Sequence, residues 1–227
     1  MKRGFTILAV LTAVLLSFSL YAALVIAPTE QTMGNVQRIF YYHVPSAWVA
    51  FELFLINFVA SVIYMLRRSS KADMVALVTA EVGVVFCTVV LITGPIWARP
   101  VWGIWWTWDL RLTLTLVLWL IYVSYLVLRR FSSSSQTPLL AAVLAIFGAL
   151  DVPLVYFSIW FFRTQHPAPV IGGGGSLDPR MGWVLVSNWI AFMALAWLIC
   201  WTRYQLEVAQ RAVHEAEAMQ SLMEGAR

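Results

Sequence analysis

Residues 5–26 read FTILAVLTAVLLSFSLYAALVI, twenty-two positions without a charge. A helix that crosses a bilayer needs about 20 mostly apolar residues, so this stretch is long enough by itself. It follows Met1-Lys2-Arg3, a basic start that a signal peptide shares. A signal peptide's apolar region is only about 7–15 residues, so the run reads as a retained first helix. Working outward, the same pattern recurs at Val44–Leu66, Val75–Pro95, Thr113–Leu128, Leu139–Phe161 and Trp183–Trp201. The runs are continuous and show no period of two, so helices are expected and a β-barrel is not. The expected fold is all-α, a polytopic membrane protein with six transmembrane helices.

Composition agrees. Of 227 residues, 61% are hydrophobic and 11% charged. Soluble domains carry about 25% charged residues, so there is too little polar surface here to cover a water-soluble globule. That excludes a soluble enzyme, a nucleic-acid-binding domain and a secreted disulfide scaffold. The net charge of +4 reads as basic loops on one side of a membrane. Cys87 and Cys200 lie singly in apolar runs, without metal-ligand spacing, and neither is assigned a role.

Orientation follows from Lys and Arg. Lys2, Arg3, Arg67, Arg68, Lys71, Arg129, Arg130, Arg203, Arg211 and Arg227 fall in one set of segments, and Arg38, Arg99, Arg111, Arg163 and Arg180 in the other. The richer set is expected in the cytoplasm, with both termini. Loops 27–43, 96–112 and 162–182 then face outward. The chain divides into a six-helix domain, residues 1–203, and a charged helical tail, residues 204–227. The tail's rough apolar stripe suits lying on the membrane, capping the bundle or docking a partner. Gly172–Gly175 reads as a flexible stretch without the pattern of a phosphate cradle.

The unusual residues gather in the outward segments. Five of twelve tryptophans fall within residues 97–108: Trp97, Trp102, Trp105, Trp106 and Trp108. An interfacial aromatic belt would scatter them over every helix end. Packed into one loop, they suit a platform for something flat and apolar. Asp109 precedes the fourth span and reads as its N-cap. Arg111, in the first turn, is disfavoured by the helix dipole and is expected to meet an anion or Asp109.

His43 stands before Pro45 at the mouth of the second span, and His166 lies just past the fifth; His214 is in the solvated tail. Two imidazoles flanking a tryptophan loop suit axial ligation of a haem iron, with the five outward arginines as candidate partners of the propionates. A quinone or another flat ligand remains open on these grounds. No two histidines share a span, unlike an electron-transfer cytochrome of the b type, and a purely structural subunit leaves the tryptophans unexplained. Glu52, Glu81 and Asp151 fall inside spans and read either as proton or ligand groups or as packing contacts between helices.

The string Trp102-Gly103-Ile104-Trp105-Trp106-Thr107-Trp108-Asp109 resembles the tryptophan-rich WWD signature, W-G-T-W-W-x-W-D-x-R-L-T, with Ile104 where Thr is usual. Span number and one His on each side of the loop are similar to the cytochrome c maturation protein C (CcmC) family, from about Asn35 to Trp201. That resemblance implies His43 and His166 as axial ligands, with Arg38 and His43 matching R-x-x-x-x-H-V-P and Arg111 following the signature Asp109. Phe161-Phe162-Arg163-Thr164-Gln165 departs from the W-W-x-T-L that usually precedes the second His. It further implies a site formed with Trp102, Trp105, Trp106 and Trp108 for ferric haem b, held non-covalently at the periplasmic side of the bacterial inner membrane. The haem would pass to the haem chaperone CcmE. The small subunit CcmD, the ABC module CcmA and CcmB, and membrane lipid are the other implied partners, with no nucleic acid. The chain has no Walker motif and is expected to be a haem-transfer protein rather than an enzyme. The alternative is a haem-transporting permease subunit of an ABC-type exporter.

Overall fold

The computed structural model describes residues 2–162, 164–167, 169 and 177–225. Arg163, Gly172–Gly175 and Arg227, all named above, lie outside them. Six helices carry the fold: α1 (Lys2–Tyr21), α2 (Phe40–Arg67), α3 (Ser70–Trp102), α4 (Leu110–Phe131), α5 (Thr137–Phe161) and α6 (Pro179–Gly225). All six are long and apolar enough to cross a membrane, α1 together with the π-helical turn Ala22–Ile26 that extends it. No strand occurs among the described residues beyond a single bridge between Glu30 and Gly34. This is a multi-pass helical membrane protein.

α2 is the hub, packed against α3, α5 and α6, while α4 closes on α5 and α1 leans on α6. Phe54 of α2 stacks on Tyr122 of α4 with ring centres 3.8 Å apart at an interplanar angle of 11°. Gly83 makes room for that stack, because a Cβ there would stand 2.6 Å from Phe54 Cε1. The remaining apolar surface faces outward, as a lipid solvent allows; Ile7 of α1 is 61% exposed.

One end of the bundle has short connections. Ser69 alone separates Arg68 from α3, and its hydroxyl accepts from Ala72 N–H. Asp73, 3% exposed, takes Nη1 of Arg129 at 2.5 Å and Nη2 at 2.9 Å, plus Nη2 of Arg211 at 2.7 Å. Glu81 accepts two bonds of 2.8 Å from Arg203, joining α3 to α6. These contacts define the arginine end; the opposite end, with the long connections, is the tryptophan end.

All the helices overrun the expected spans at one end or both, α6 continuing unbroken to Gly225 through the expected tail, and two of these extensions shape the tryptophan end. A 3-10 turn, Asn35–Ile39, leads directly into α2 at Phe40, so His43 and Pro45 lie inside the helix. Burial of Phe40 and Tyr41 against Ala22, Ala23 and Met181 supports the extra turn. α3 continues through Pro95 and Pro100 to Trp102, because Trp97 packs into the same cluster and Ala98 is buried. Trp97 and Trp102 therefore stand on a helix, and only Trp105, Trp106 and Trp108 belong to the loop. Gly103, at φ 78°, ends α3 in the left-handed conformation that favours glycine.

Candidate functional site

At the tryptophan end the first turns of α2, the last turns of α3 and the start of α4 surround a space also bounded by the chain after α5. His43 comes from α2 and His166 from that last segment, and their ring centres are 6.4 Å apart with planes 35° from parallel. Two imidazoles on opposite sides of one metal, each with a metal–nitrogen bond of about 2 Å, place their ring centres about 6 Å apart. The observed separation therefore suits a shared metal.

Both rings are held through Nδ1. His43 Nδ1 lies 2.9 Å from Thr93 Oγ1, and that hydroxyl donates to Val89 C=O at 2.7 Å. With its proton committed to the helix, Thr93 accepts, so the Nδ1–H tautomer of His43 is fixed and Nε2 carries the lone pair. His166 Nδ1 lies 2.9 Å from the carbonyl oxygen of Pro167, which can only accept, so its Nε2 is free in the same way. Such outer partners are what metal-binding histidines ordinarily have. Trp97 sets its ring edge-on to His43, centres 5.8 Å apart at 71°.

Two adjoining cavities meet at these rings. The smaller, about 260 Å³, is walled by Trp97, Trp102, Trp106, Arg111 and both histidines, with Phe51, Cys87 and Leu91 deeper in. The larger, about 860 Å³, shares His43, Trp97, Arg111 and His166 and opens toward Trp48, Tyr156, Met181 and the Asp178–Arg180 pair. The larger lies within the size range of small-molecule sites, about 300–1,000 Å³, and the smaller just under it. The buried indole nitrogens of Trp97 and Trp106 have no acceptor among the described residues. A ligand with carboxylates would supply one.

Arg111 is the charged side chain that the two cavities share among the described residues. It makes one long bond, Nη1 to the Val155 carbonyl at 3.5 Å. Burial holds the His166 imidazole down to about 4 from the ordinary 6.5, and the Arg111 charge pushes the same way. Asp178 outside the bundle is held below the usual carboxylate range by hydrogen bonds from Arg180.

The other expected residues take different places. Asp109 caps α4, its Oδ1 accepting from Leu112 N–H at 3.1 Å and its Oδ2 from the Thr107 hydroxyl at 2.9 Å. Arg111 does not pair with it and reaches α5 instead. Arg38 donates to the Ala23 carbonyl at 2.5 Å, a contact that ties the π-helical turn to the 3-10 turn before α2, and it does not line either cavity. Trp105 and Trp108, 59% and 76% exposed, also stand outside the walls. Arg99 is bonded to the Gly103 carbonyl. Trp97, one of the five tryptophans read as a platform, walls both cavities, whereas Thr93 is a residue that sequence reasoning misses, because nothing in the chain marks it without the position of His43.

The donor set is informative. Among the described residues no group of three or more His, Cys, Asp or Glu is placed to hold a metal ion. Two imidazoles alone would leave a tetrahedral ion under-coordinated, whereas a metal that brings its own planar ligands needs only two more. The fold and the cavity thus define a multi-pass helical membrane protein in which two imidazoles face adjoining cavities at one end.

Sequence comparison carries this to a family: the chain belongs to the heme exporter protein C (CcmC) family, which matches residues 1–219. It is 35% identical to the heme exporter protein C of Bradyrhizobium diazoefficiens over 94% of this chain and 82% of that protein. It is 31% identical to the heme exporter protein C of Escherichia coli K12, over 76% and 74% of the two chains. Identity is 30% to a putative cytochrome c biosynthesis ccmC-like mitochondrial protein of Arabidopsis thaliana, over 82% and 71%.

Proposed function

We propose that this protein binds ferric haem b non-covalently at the tryptophan end, on the periplasmic side of a bacterial inner membrane, and delivers it to CcmE during cytochrome c maturation. The observation that carries the proposal is the pair of imidazoles 6.4 Å apart, each with Nδ1 engaged and Nε2 free. Haem supplies the iron that such nitrogens ligate and the apolar plane that indoles cover.

The protein's own groups then have defined tasks. Thr93 and the Pro167 carbonyl orient the two ligands. Arg111, together with the indole N–H groups of Trp97 and Trp106, meets the propionates, for which a guanidinium is well suited. Trp102 and Trp106 cover the porphyrin, while the exposed Trp105 and Trp108 extend that shelf toward the receiving protein. Asp109 contributes by fixing the start of α4 and with it Arg111. Arg38 contributes by anchoring the turn before His43.

Loading and unloading at the same end is favoured over a permease path by what lies beneath the cavities. Phe54, Leu118, Tyr122 and Tyr125 are fully buried there and fill the bundle. CcmD and the ABC proteins CcmA and CcmB are the further partners in this reading, and this chain acts as a haem-transfer protein rather than an enzyme.

Purified protein carrying His43→Ala, His166→Ala or both tests the assignment. Each single substitution is expected to lower haem content at least tenfold or shift the Soret band. Unchanged haem content and Soret band in the double variant would overturn it.

A further inference from the structure

The mechanism leaves two intramembrane carboxylates without an ion pair among the described residues, the buried Asp151, 7% exposed, and the more exposed Glu52. Glu52 lies on α2, about 18 Å along the helix from Phe40 and about 22 Å from Arg67 at roughly 1.5 Å per residue, which is near the middle of the span. It is half-buried, and the bond it accepts is a long one, 3.4 Å from Trp189 Nε1–H to Oε2. It belongs to none of the ion pairs among the described residues. A carboxyl group at this depth facing hydrocarbon is costly unless a donor or cation meets it.

Its surroundings form a slot. Leu55, Val59, Ile63 and Leu66 follow Glu52 at helical spacing and are all exposed. α5 and α6 both pack on α2 yet make little contact with each other, so this stripe runs between them as an uncovered floor. Toward the tryptophan end the floor leads to Trp48, which packs edge-on against Trp189 and lines the larger cavity. The slot is thus continuous with the open side of the haem site.

We infer that this slot on α2, between α5 and α6, seats one transmembrane helix of another protein, and that the helix brings a hydrogen-bond donor or cation to Glu52 at mid-membrane. Charge complementarity selects the occupant. Lipid chains would cover the leucines and valines equally well, but they offer nothing to a carboxyl group. A polar side chain on a helix does, and helix association in membranes uses such contacts. Seated there, the incoming chain would emerge from the membrane beside the cavity mouth. The slot does not depend on what the cavity holds.

Photo-reactive benzoylphenylalanine placed at Leu55 or Val59, in native membranes of the producing organism, tests this against the lipid-facing positions Leu120 and Val127 of α4. The expected result is an adduct from 55 and 59, absent from 120 and 127. Its cross-linked peptide, read by mass spectrometry, is a transmembrane segment with a polar or basic residue at the depth of Glu52. In Glu52→Leu the adduct falls at least tenfold, while Glu52→Gln, which still accepts a hydrogen bond, retains it. Val59→Trp, which fills the slot without touching Glu52, abolishes the adduct formed from Leu55. Lipid-only adducts at 55 and 59, an adduct to a second copy of this chain, or undiminished yield in Glu52→Leu each overturn the inference. The Soret spectrum of Glu52→Leu is recorded alongside, so loss of the helix contact is distinguished from loss of haem.

Discussion

The two ends of the bundle handle polar groups in opposite ways. At the arginine end, Asp73 is enclosed by Arg129 and Arg211, and Glu81 by Arg203, so charges buried among helices are matched. At the tryptophan end, Arg111 has one long bond to a carbonyl, two indole nitrogens have no acceptor, and both imidazoles keep a free Nε2. Satisfied groups hold a fold together; unsatisfied ones in a cavity are available to a ligand. In the proposed reading, paired charges give one end its stability and open groups around a cavity give the other its ligand.

The largest expected effect comes from breaking the closed end. Asp73→Ala leaves Arg129, only 10% of whose side chain is exposed, without its carboxylate, while Arg211 keeps Glu207. Removing one partner of a buried ion pair costs about 3–5 kcal/mol, so thermal unfolding in detergent should occur at a clearly lower temperature. Trp108→Ala at the open end, where the side chain is exposed, should stay within about 0.5 kcal/mol of the parent. Equal melting of the two variants would dissolve the contrast.

A subtler change sharpens it from the other side. Thr93→Val keeps the shape of the side chain but removes the oxygen that fixes His43. Loss of such an outer partner costs about 10–100-fold in metal affinity, so haem binding measured by titration should weaken by that factor with little change in melting. Thr93→Ser should restore most of it. Parallel losses of stability and haem affinity in Thr93→Val would mean that this residue belongs to the scaffold.

A third contrast is in pH. With His166 at about 4 in the folded chain and near 6.5 when unfolded, the folded form stays neutral while the unfolded form gains a proton. Stability should therefore be level above pH 6.5, fall as pH drops from 6.5 to about 4, and level off below. In the haem-free protein, nitrogen NMR of labelled histidine should place the His166 midpoint near 4. A midpoint near 6.5 would show that its ring is more openly solvated than the burial implies.

Much of the fold is legible in the sequence, because each span is a local property: twenty apolar residues make a membrane helix wherever they occur. The boundaries are less so. α2 and α3 extend past their proline punctuation because Phe40, Tyr41 and Trp97 pack against residues far away in the chain. At the candidate site, residue type alone marks His43, His166, Arg111 and the tryptophan cluster. It does not separate Trp102 and Trp106, which wall the cavity, from Trp105 and Trp108, which do not. Thr93 carries no signal without its partner, since threonine in a membrane helix ordinarily bonds its own backbone.

By itself the sequence determined that this chain is a six-span helical membrane protein with His43, His166 and a tryptophan cluster at one side, since hydropathy and residue chemistry act over one helix at a time. Only the tertiary structure decided which groups meet. It set His43 against His166, put Thr93 behind the first ring, closed Asp73 between two arginines and left Glu52 in an open slot. Those pairings depend on how separate helices pack, and side-chain contacts across helices leave no periodic trace in the chain.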